Sequence, residues 1–422
     1  MGIRLITSEP IHAPGILEET LPPEKHLGPV DPATVEKAEP EKDQGLEDMQ
    51  GIPPIQQVLN LDDFEVRISS DSCDSRKSVR EIQALVLGPT IPPPPTMNYV
   101  HLPLLLVGLQ LIVTAHVENT KAFRKVLFRP RVFVDISECD QSCTLLGLPS
   151  TSPIFIAPAA LAKLGHPGGE VNLTKGAGIS GIIQAMSTNA SNSVEELSQA
   201  RISPNQKLWF QLYVNKDRKA TQRLLKRVVD SGAFAGLFIT VDAPVLGKRE
   251  KDERLKASVM PVLSATSGAG GQMSGGGAKS VTKALATFVA HDLVWEEIAW
   301  MKKLTGFPVV VKGIMTAEDA ILAMKYGCEG IYLSNHGGRQ LDTSPPAILT
   351  LLELRKHCPQ VFEKMQVFLD GGIRRGTDVV KALCLGVKAV GLGRPFLYAN
   401  ACYGEEGVLK AIESISPVCC IL

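Results

Sequence analysis

Leu208-Trp209-Phe210-Gln211-Leu212-Tyr213-Val214, then the amphipathic stretch Arg218–Ser231, then Gly236-Leu237-Phe238-Ile239-Thr240-Val241-Asp242 form one unit that decides the fold. Each short run is almost wholly apolar and ends in polar residues. The stretch between them has a helical period. A near-continuous apolar run reads as a strand buried on both faces, which is the mark of a parallel sheet with helical crossovers. Working outward, the same unit recurs. The strand-like runs are Ile154–Pro158, Gly181–Met186, Leu208–Val214, Gly236–Asp242, Pro308–Gly313, Gly330–Asn335, Gln366–Gly372 and Ala389–Arg394, with helical stretches such as Ala317–Tyr326 between most of them. Eight βα units between residues 154 and 394 match the size of an α/β TIM (β/α)8 barrel. A doubly wound sheet is the rival. It would usually carry a Gly-rich dinucleotide turn after its first strand, and none follows Ile154–Pro158.

Upstream the pattern changes. Residues 1–60 are rich in Pro, Glu and Lys without a sustained period, which predicts a poorly ordered tail. Residues 61–117 read as an irregular or inserted segment, and 118–422 as the barrel. Residues 82–117 hold no Asp, Glu, Lys or Arg, and Pro92–Pro95 form a short polyproline run. Val100–Val117 is long enough for a membrane span, but Pro103, Gly108, Gln110, His101 and His116 argue for a buried or foreign segment instead. A secretory signal is not expected, since the first residues show no positive n-region followed by an apolar h-region. Gly2 lacks the Ser or Thr that myristoylation wants at position 6, which is Ile6. Cys419-Cys420-Ile421-Leu422 reads like a prenylation box, with an abrupt chain end as the preferred reading.

Composition narrows the class. Forty-four basic residues balance 44 acidic ones, which argues against nucleic acid and polybasic membrane binding. Nine Cys are too few for a disulfide scaffold, and the Cys139/Cys143 pair has no second pair or nearby His to make a metal site. No metal is expected. The glycine-rich stretch 268–277 reads as a flexible lid or linker, or equally as a disordered insertion.

The polar residues that end the strands carry the chemistry. Gln211 and Tyr213 end the third run, Thr240 and Asp242 the fourth with Arg249 beyond, and Lys312 the fifth. Ser334, Asn335, His336 and Arg339 follow the sixth, Asp370-Gly371-Gly372 and Arg374 the seventh, and Gly393-Arg394 the eighth. In a barrel all these converge on one face, where active sites sit. Gly-rich turns with Arg after the last two strands offer backbone N–H groups to a phosphate. Two guanidinium groups suit a carboxylate. A His beside an Asp suits a general base. A phosphate-bearing cofactor and a carboxylate-bearing substrate are therefore expected on the same face.

At these residues the sequence resembles a known family. Ser334-Asn335-His336-Gly337-Gly338-Arg339-Gln340-Leu341-Asp342 is similar to the active-site signature of the FMN-dependent L-2-hydroxy-acid dehydrogenases. Asp370–Asp378 and Gly391–Phe396 resemble its phosphate turns, and Gln211–Val214, Thr240–Pro244 and Lys312–Ile314 also match. Leu246–Asp252 and Leu161–Gly165 most resemble the flavocytochrome-type L-lactate dehydrogenases, which carry a haem domain before the barrel; residues 10–34 resemble the stretch just after that domain.

The resemblance implies FMN as cofactor and oxidation of a small L-2-hydroxy acid, L-lactate favoured, to the 2-oxo acid, with a cytochrome-type electron acceptor. An oxygen-using, glycolate-type oxidase and an inactive flavin-binding barrel stay open as alternatives. His336 would take the substrate proton, supported by Asp242. Arg249 and Arg339 would grip the carboxylate, Tyr213 would bond the substrate, and Lys312 would sit by the flavin pyrimidine edge. Ala157, Pro158 and Ala159 would pack near the ring, with Ser187, Gln211, Thr240 and Ser334 bonding it or supporting it. Asp370, Gly371, Gly372, Arg374, Gly393 and Arg394 would hold the ribityl phosphate. A homotetramer, in the mitochondrial intermembrane space or the cytoplasm, is also implied. His166-Pro167-Gly168-Gly169 copies a haem-ligand signature, but a bis-His haem needs a second His and the next downstream is His291, so no haem is expected in this chain. The family's N-terminal substrate tyrosine falls at Leu105 here, and Tyr99 stands out of register.

Overall fold

The computed structural model describes residues 113–130, 132–133, 139–245, 247 and 288–416, together with 55, 58 and 60–62. Leu105, Tyr99, the 268–277 stretch and the C-terminal Cys box lie outside them, as does most of 1–112.

A hairpin comes first: β1 (Cys143–Leu145) pairs antiparallel with β2 (Leu148–Ser150). The eight strands that follow are β3 (Ile154–Ile156), β4 (Ile183–Ser187), β5 (Leu208–Leu212), β6 (Phe234–Thr240), β7 (Val309–Ile314), β8 (Gly330–Leu333), β9 (Gln366–Leu369) and β10 (Ala389–Leu392). All pair in parallel, and β10 returns to β3, closing a barrel. Each lies within a few residues of its expected position.

The barrel interior is a packed core. Phe155 meets Trp209 at 5.2 Å, Tyr332 at 5.5 Å and Phe368 at 5.7 Å between ring centroids, all edge-on. Edge-on contact sets the positive rim of one ring against the negative face of the next. Glycine makes room for these rings: a Cβ on Gly391 would overlap the Tyr332 hydroxyl and the Phe155 ring, and one on Gly236 the Trp209 indole. Leu145 of the hairpin is fully buried against the same cluster, and Leu146 N donates to Gln366 Oε1 (3.0 Å) at the start of β9. The hairpin therefore plugs the N-terminal end of the barrel and leaves the C-terminal end open.

Among the described residues, ten α-helices accompany the strands. Nine of them, α2 (Gly169–Ser180), α3 (Val194–Ala200), α4 (Arg218–Asp230), α5 (Ile298–Thr305), α6 (Ala317–Lys325), α7 (Ala347–His357), α8 (Val361–Lys364), α9 (Gly376–Cys384) and α10 (Arg394–Ile415), run through the barrel; α1 (Val113–Arg124) precedes it. None of the described helices is long and apolar enough to cross a membrane.

Helix α1 begins inside the segment read as irregular, and its sequence explains the miss. It has no acidic residue in its first turn. The acid comes from far along the chain: Asp342 Oδ1 accepts from Ala115 N (3.0 Å). At the other end Lys381 Nζ donates to Phe123 O (2.9 Å). An anion at the N-terminus and a cation at the C-terminus are where the helix dipole favours them. Val58 and Leu61, from the stretch around the end of the expected tail, are also buried in the main core, at 1% and 2% exposure.

Replacing Gly391 with Leu should lower stability by about 1–3 kcal/mol, the usual cost of overpacking a filled core. The urea midpoint measures it; an unchanged midpoint would mean that the Phe155–Tyr332 layer has slack.

Candidate active site

Three side chains form the centre of the open end. Asp242, two residues past β6, accepts from or donates to no other described residue through Oδ2, while its Oδ1 lies 2.9 Å from His336 Nδ1. His336 Nε2 lies 3.2 Å from the Tyr213 hydroxyl, just past β5. Lys312 Nζ, on β7, stands 3.2 Å from Ser334 Oγ, 4.0 Å from Asp242 Oδ2 and 5.3 Å from the centre of the Tyr332 ring. Burial pushes the Asp242 carboxyl up, but the charges of His336 and Lys312 and the His336 hydrogen bond outweigh it, leaving it below the ordinary range. Asp242 is thus a buried anion held between a cation and an imidazole.

The loop after β8 presents His336 in an unusual backbone. His336, Gly337 and Gly338 have φ of +59°, +63° and +74°. Ser334 Oγ accepts from His336 N (3.1 Å), and Gly338 N donates to both Asn335 O and Asn335 Oδ1, each 3.0 Å. Gln340 Nε2 donates to Asp242 O (3.1 Å) and Val245 O (2.9 Å), so it ties the loop after β6 to the loop after β8.

The other half of the face follows β9 and β10. Asp370 Oδ1 is buried with no hydrogen-bond partner among the described residues. Gly371 and Gly372 have φ of +90° and +85°. Gly372 serves packing as well as the turn, because a Cβ there would overlap the Asn119 backbone carbonyl of α1. Arg374 is nearly buried and lies 3.8 Å from Asp62; Arg375 reaches the same carboxylate at 2.9 Å. Gly393 precedes α10, whose N1 position is taken by Arg394 and its first turn by Pro395, and open space faces the Gly393 Cα. Arg394 donates to Gly337 O (2.6 Å) and to His116 Nδ1 (2.7 Å). Burial, then the charges of Arg394, Arg374 and Arg339, hold the His116 imidazole down to about pKa 3, so it is neutral and accepts.

The structure gathers almost all of the expected residues into one cleft. Ala157, Pro158 and Ala159 follow β3; Ser187 ends β4; Gln211, on β5, donates to Thr240 Oγ1 at the end of β6 (2.8 Å). These line the cleft with Tyr213, Lys312, His336, Arg339, Asp370, Gly371, Gly372, Arg374, Gly393 and Arg394. Ser334 and Asp242 stand behind Lys312 and His336. Arg249 lies outside the described residues. Four residues were given no role in the site from the sequence: Asn119, Glu170, His116 and Asn189. Asn119 and Asn335 exchange two hydrogen bonds (2.9 and 2.7 Å), both side chains buried. Glu170, in α2, accepts from Ala162 N, Ser191 N and Asn192 N (3.0, 2.9 and 3.2 Å) and so joins the loops after β3 and β4. His116 and Asn189 also reach the cleft region. Asn335 and Gln340, both inside the quoted signature, had a local signal. His166 is a turn residue: its Nδ1 accepts from Gly168 N at 3.1 Å.

A barrel with a His–Asp pair and glycine-arginine turns at its open end defines a class, and comparison assigns it. The model of the FMN-dependent dehydrogenase family matches residues 112–417. The chain is 40% identical over 409 residues to the L-lactate dehydrogenase (cytochrome) of Wickerhamomyces anomalus, covering 96% of this chain and 66% of that protein. It is 41% identical over 299 residues to the glycolate oxidase of Spinacia oleracea, covering 70% of this chain and 79% of that one. Among solved structures, a flavocytochrome b2 variant with pyruvate bound superposes with a TM-score of 0.70 at 38% identity, over 87% of this chain and 83% of that one. The chain belongs to the FMN-dependent dehydrogenase family. It spans 66% of the length of the cytochrome-type relative.

The cleft fits FMN on its own terms. The unpaired Asp370 oxygen can accept a ribityl hydroxyl, and the open cradle at Gly393, with two arginines beside it and a helix N-terminus behind, suits a phosphate.

Gly393→Leu should leave the apoprotein folded, since no protein atom lies within 4 Å of the added Cβ. FMN affinity should fall about 10–100-fold, the loss of one or more charge-assisted hydrogen bonds. Fluorescence titration with free FMN reads it; unchanged affinity would move the phosphate elsewhere.

Proposed function

We propose that this chain oxidises a small L-2-hydroxy acid to the 2-oxo acid, with L-lactate to pyruvate the favoured case, and passes the electrons to a cytochrome-type acceptor. The observation that carries the proposal is the Asp242–His336–Tyr213 line, 2.9 Å and 3.2 Å, set beside Lys312 and Arg339 in one cleft.

FMN, when bound, supplies the acceptor for the two electrons released at the substrate C2. The chain does the rest. His336 Nε2 takes the proton, and the ionised Asp242 at its other nitrogen orients the ring and stabilises the imidazolium. Tyr213, within hydrogen-bond reach of the same Nε2, fixes the substrate oxygen beside the base. Arg339, with Arg249, grips the carboxylate, for which a planar guanidinium is the matched donor. Lys312 would face the flavin pyrimidine edge, its charge favouring added negative charge there. Ala157, Pro158 and Ala159 would flank the ring, and Ser187, Gln211, Thr240 and Ser334 would bond or brace it. Asp370 would accept from a ribityl hydroxyl, and Gly371, Gly372, Arg374, Gly393 and Arg394 would hold the ribityl phosphate.

The cytochrome-type acceptor is favoured by a match that covers 96% of this chain, against 70% for the glycolate oxidase match. Oxygen is the second reading, since the identity is nearly equal. Re-oxidation rates of the reduced protein by oxygen and by cytochrome c separate the two: fast re-oxidation by oxygen alone would reverse the choice.

His336→Gln should keep FMN bound yet slow flavin reduction by about 10²–10⁴-fold, the usual worth of a general base. Anaerobic stopped-flow with L-lactate measures it, and a rate within threefold of the parent would remove His336 from that role. Arg339→Met should cost about 1.5–3 kcal/mol in kcat/KM for the acid, since a hydrogen bond to a charged group is lost. A neutral alcohol of the same size should lose far less; equal losses would sink the carboxylate assignment.

A further inference from the structure

Asn189 is one polar side chain of the cleft that the chemistry above does not use. It is only 8% exposed, its Oδ1 is buried with no hydrogen-bond partner among the described residues, and it lines the same cleft as Tyr213 and His336. Its place is set by neighbours. Asn189 N donates to Ser187 Oγ (3.2 Å), and the adjoining Thr188 Oγ1 accepts from Tyr213 N (3.0 Å) while donating to Gln211 O (2.6 Å). The corner after β4 is thereby fastened to the end of β5, beside the tyrosine that reaches the base. The nearby wall is apolar, with Ala159, Ala160, Leu161 and Leu164.

We infer that Asn189 selects, among small L-2-hydroxy acids, those that carry a hydroxyl on C3. The inference rests on the proposed function, keeps its reaction and substrate class, and moves the preferred member from L-lactate to a C3-hydroxylated acid. An acceptor held unpaired in a buried wall loses free energy until a ligand supplies a donor. A C3 methyl, as in L-lactate, closes over the amide without pairing it. A hydroxymethyl group can pair with it, and a hydroxyl does so as donor or as acceptor, whichever end of the amide it meets. Polar groups placed to bond a substrate hydroxyl discriminate strongly against the analogue that lacks it.

The test compares L-glycerate with L-2-hydroxybutanoate, which has a methyl where glycerate has its hydroxyl and so isolates the hydrogen bond from size. It uses the FMN-loaded parent, Asn189→Leu and Asn189→Ala. Two readouts are taken: kcat/KM for each acid, and calorimetric dissociation constants for the matching 2-oxo acids, which need no turnover. The parent should favour the hydroxylated member by about tenfold in both readouts, as one net hydrogen bond implies. Both variants should bring the ratio to one or invert it. A parent ratio of one or below, or a ratio that survives both substitutions, overturns the assignment. If no 2-hydroxy acid reduces the flavin, the proposed function fails instead, and the calorimetric ratio still decides whether Asn189 reads the C3 group.

Discussion

Three consecutive left-handed residues at the end of β8 are the constraint on which the site depends. Glycine accepts that backbone without strain, but His336 does not; a non-glycine residue there costs on the order of 1 kcal/mol or more. Such a conformation persists only when its surroundings over-determine it, and here they do. Ser334 and Asn335 tie down the turn from within. Arg394 holds the Gly337 carbonyl from β10's end, and α1 lies so close to Gly338 that a Cβ there would overlap its backbone. The strained turn aims the imidazole between Asp242 and Tyr213.

That turn also explains why the two halves of the cleft are one object. Arg394 is expected at the phosphate, yet its other contact is the carbonyl beside the base. His116 completes the chain. Crowded by Arg394, Arg374 and Arg339, it stays neutral and gives Arg394 an acceptor rather than a fourth positive charge. Gly372 and Gly338 admit α1, Asn119 pairs with Asn335, and Asp342 caps the helix in return. The turns after β8, β9 and β10 thus share one brace, helix α1.

The fold was legible because its signals are local. Eight apolar runs with polar ends need no long-range knowledge, and the residues at those ends fall together once the barrel closes. What escaped were residues whose meaning is a partner far away. Asn119 lies 216 residues from Asn335, and nothing around it marks an amide pair. Helix α1 lacks its own N-terminal acid, so its first residues, 113–117, read as part of the uncharged, foreign segment. Glu170 looks like one more acidic helix residue until three backbone N–H groups from two loops are seen to point at it. Gly371-Gly372, read as phosphate turns, carry a second duty that only the approach of α1 reveals.

The electrostatics follow from burial more than from net charge. The chain is neutral overall, but its cleft holds an ordered set of groups: arginines at one end, a lysine on β7, one carboxylate beneath it and an imidazole above. Asp242 can remain ionised in so buried a place because Lys312 and His336 both face it. Removing either partner would leave a buried charge less compensated, and the carboxyl would respond by moving up toward protonation. A protonated Asp242 could no longer stabilise an imidazolium. The lysine on the strand floor would therefore bear on the proposed base as well as on the flavin edge, through a 4.0 Å contact with the carboxylate between them.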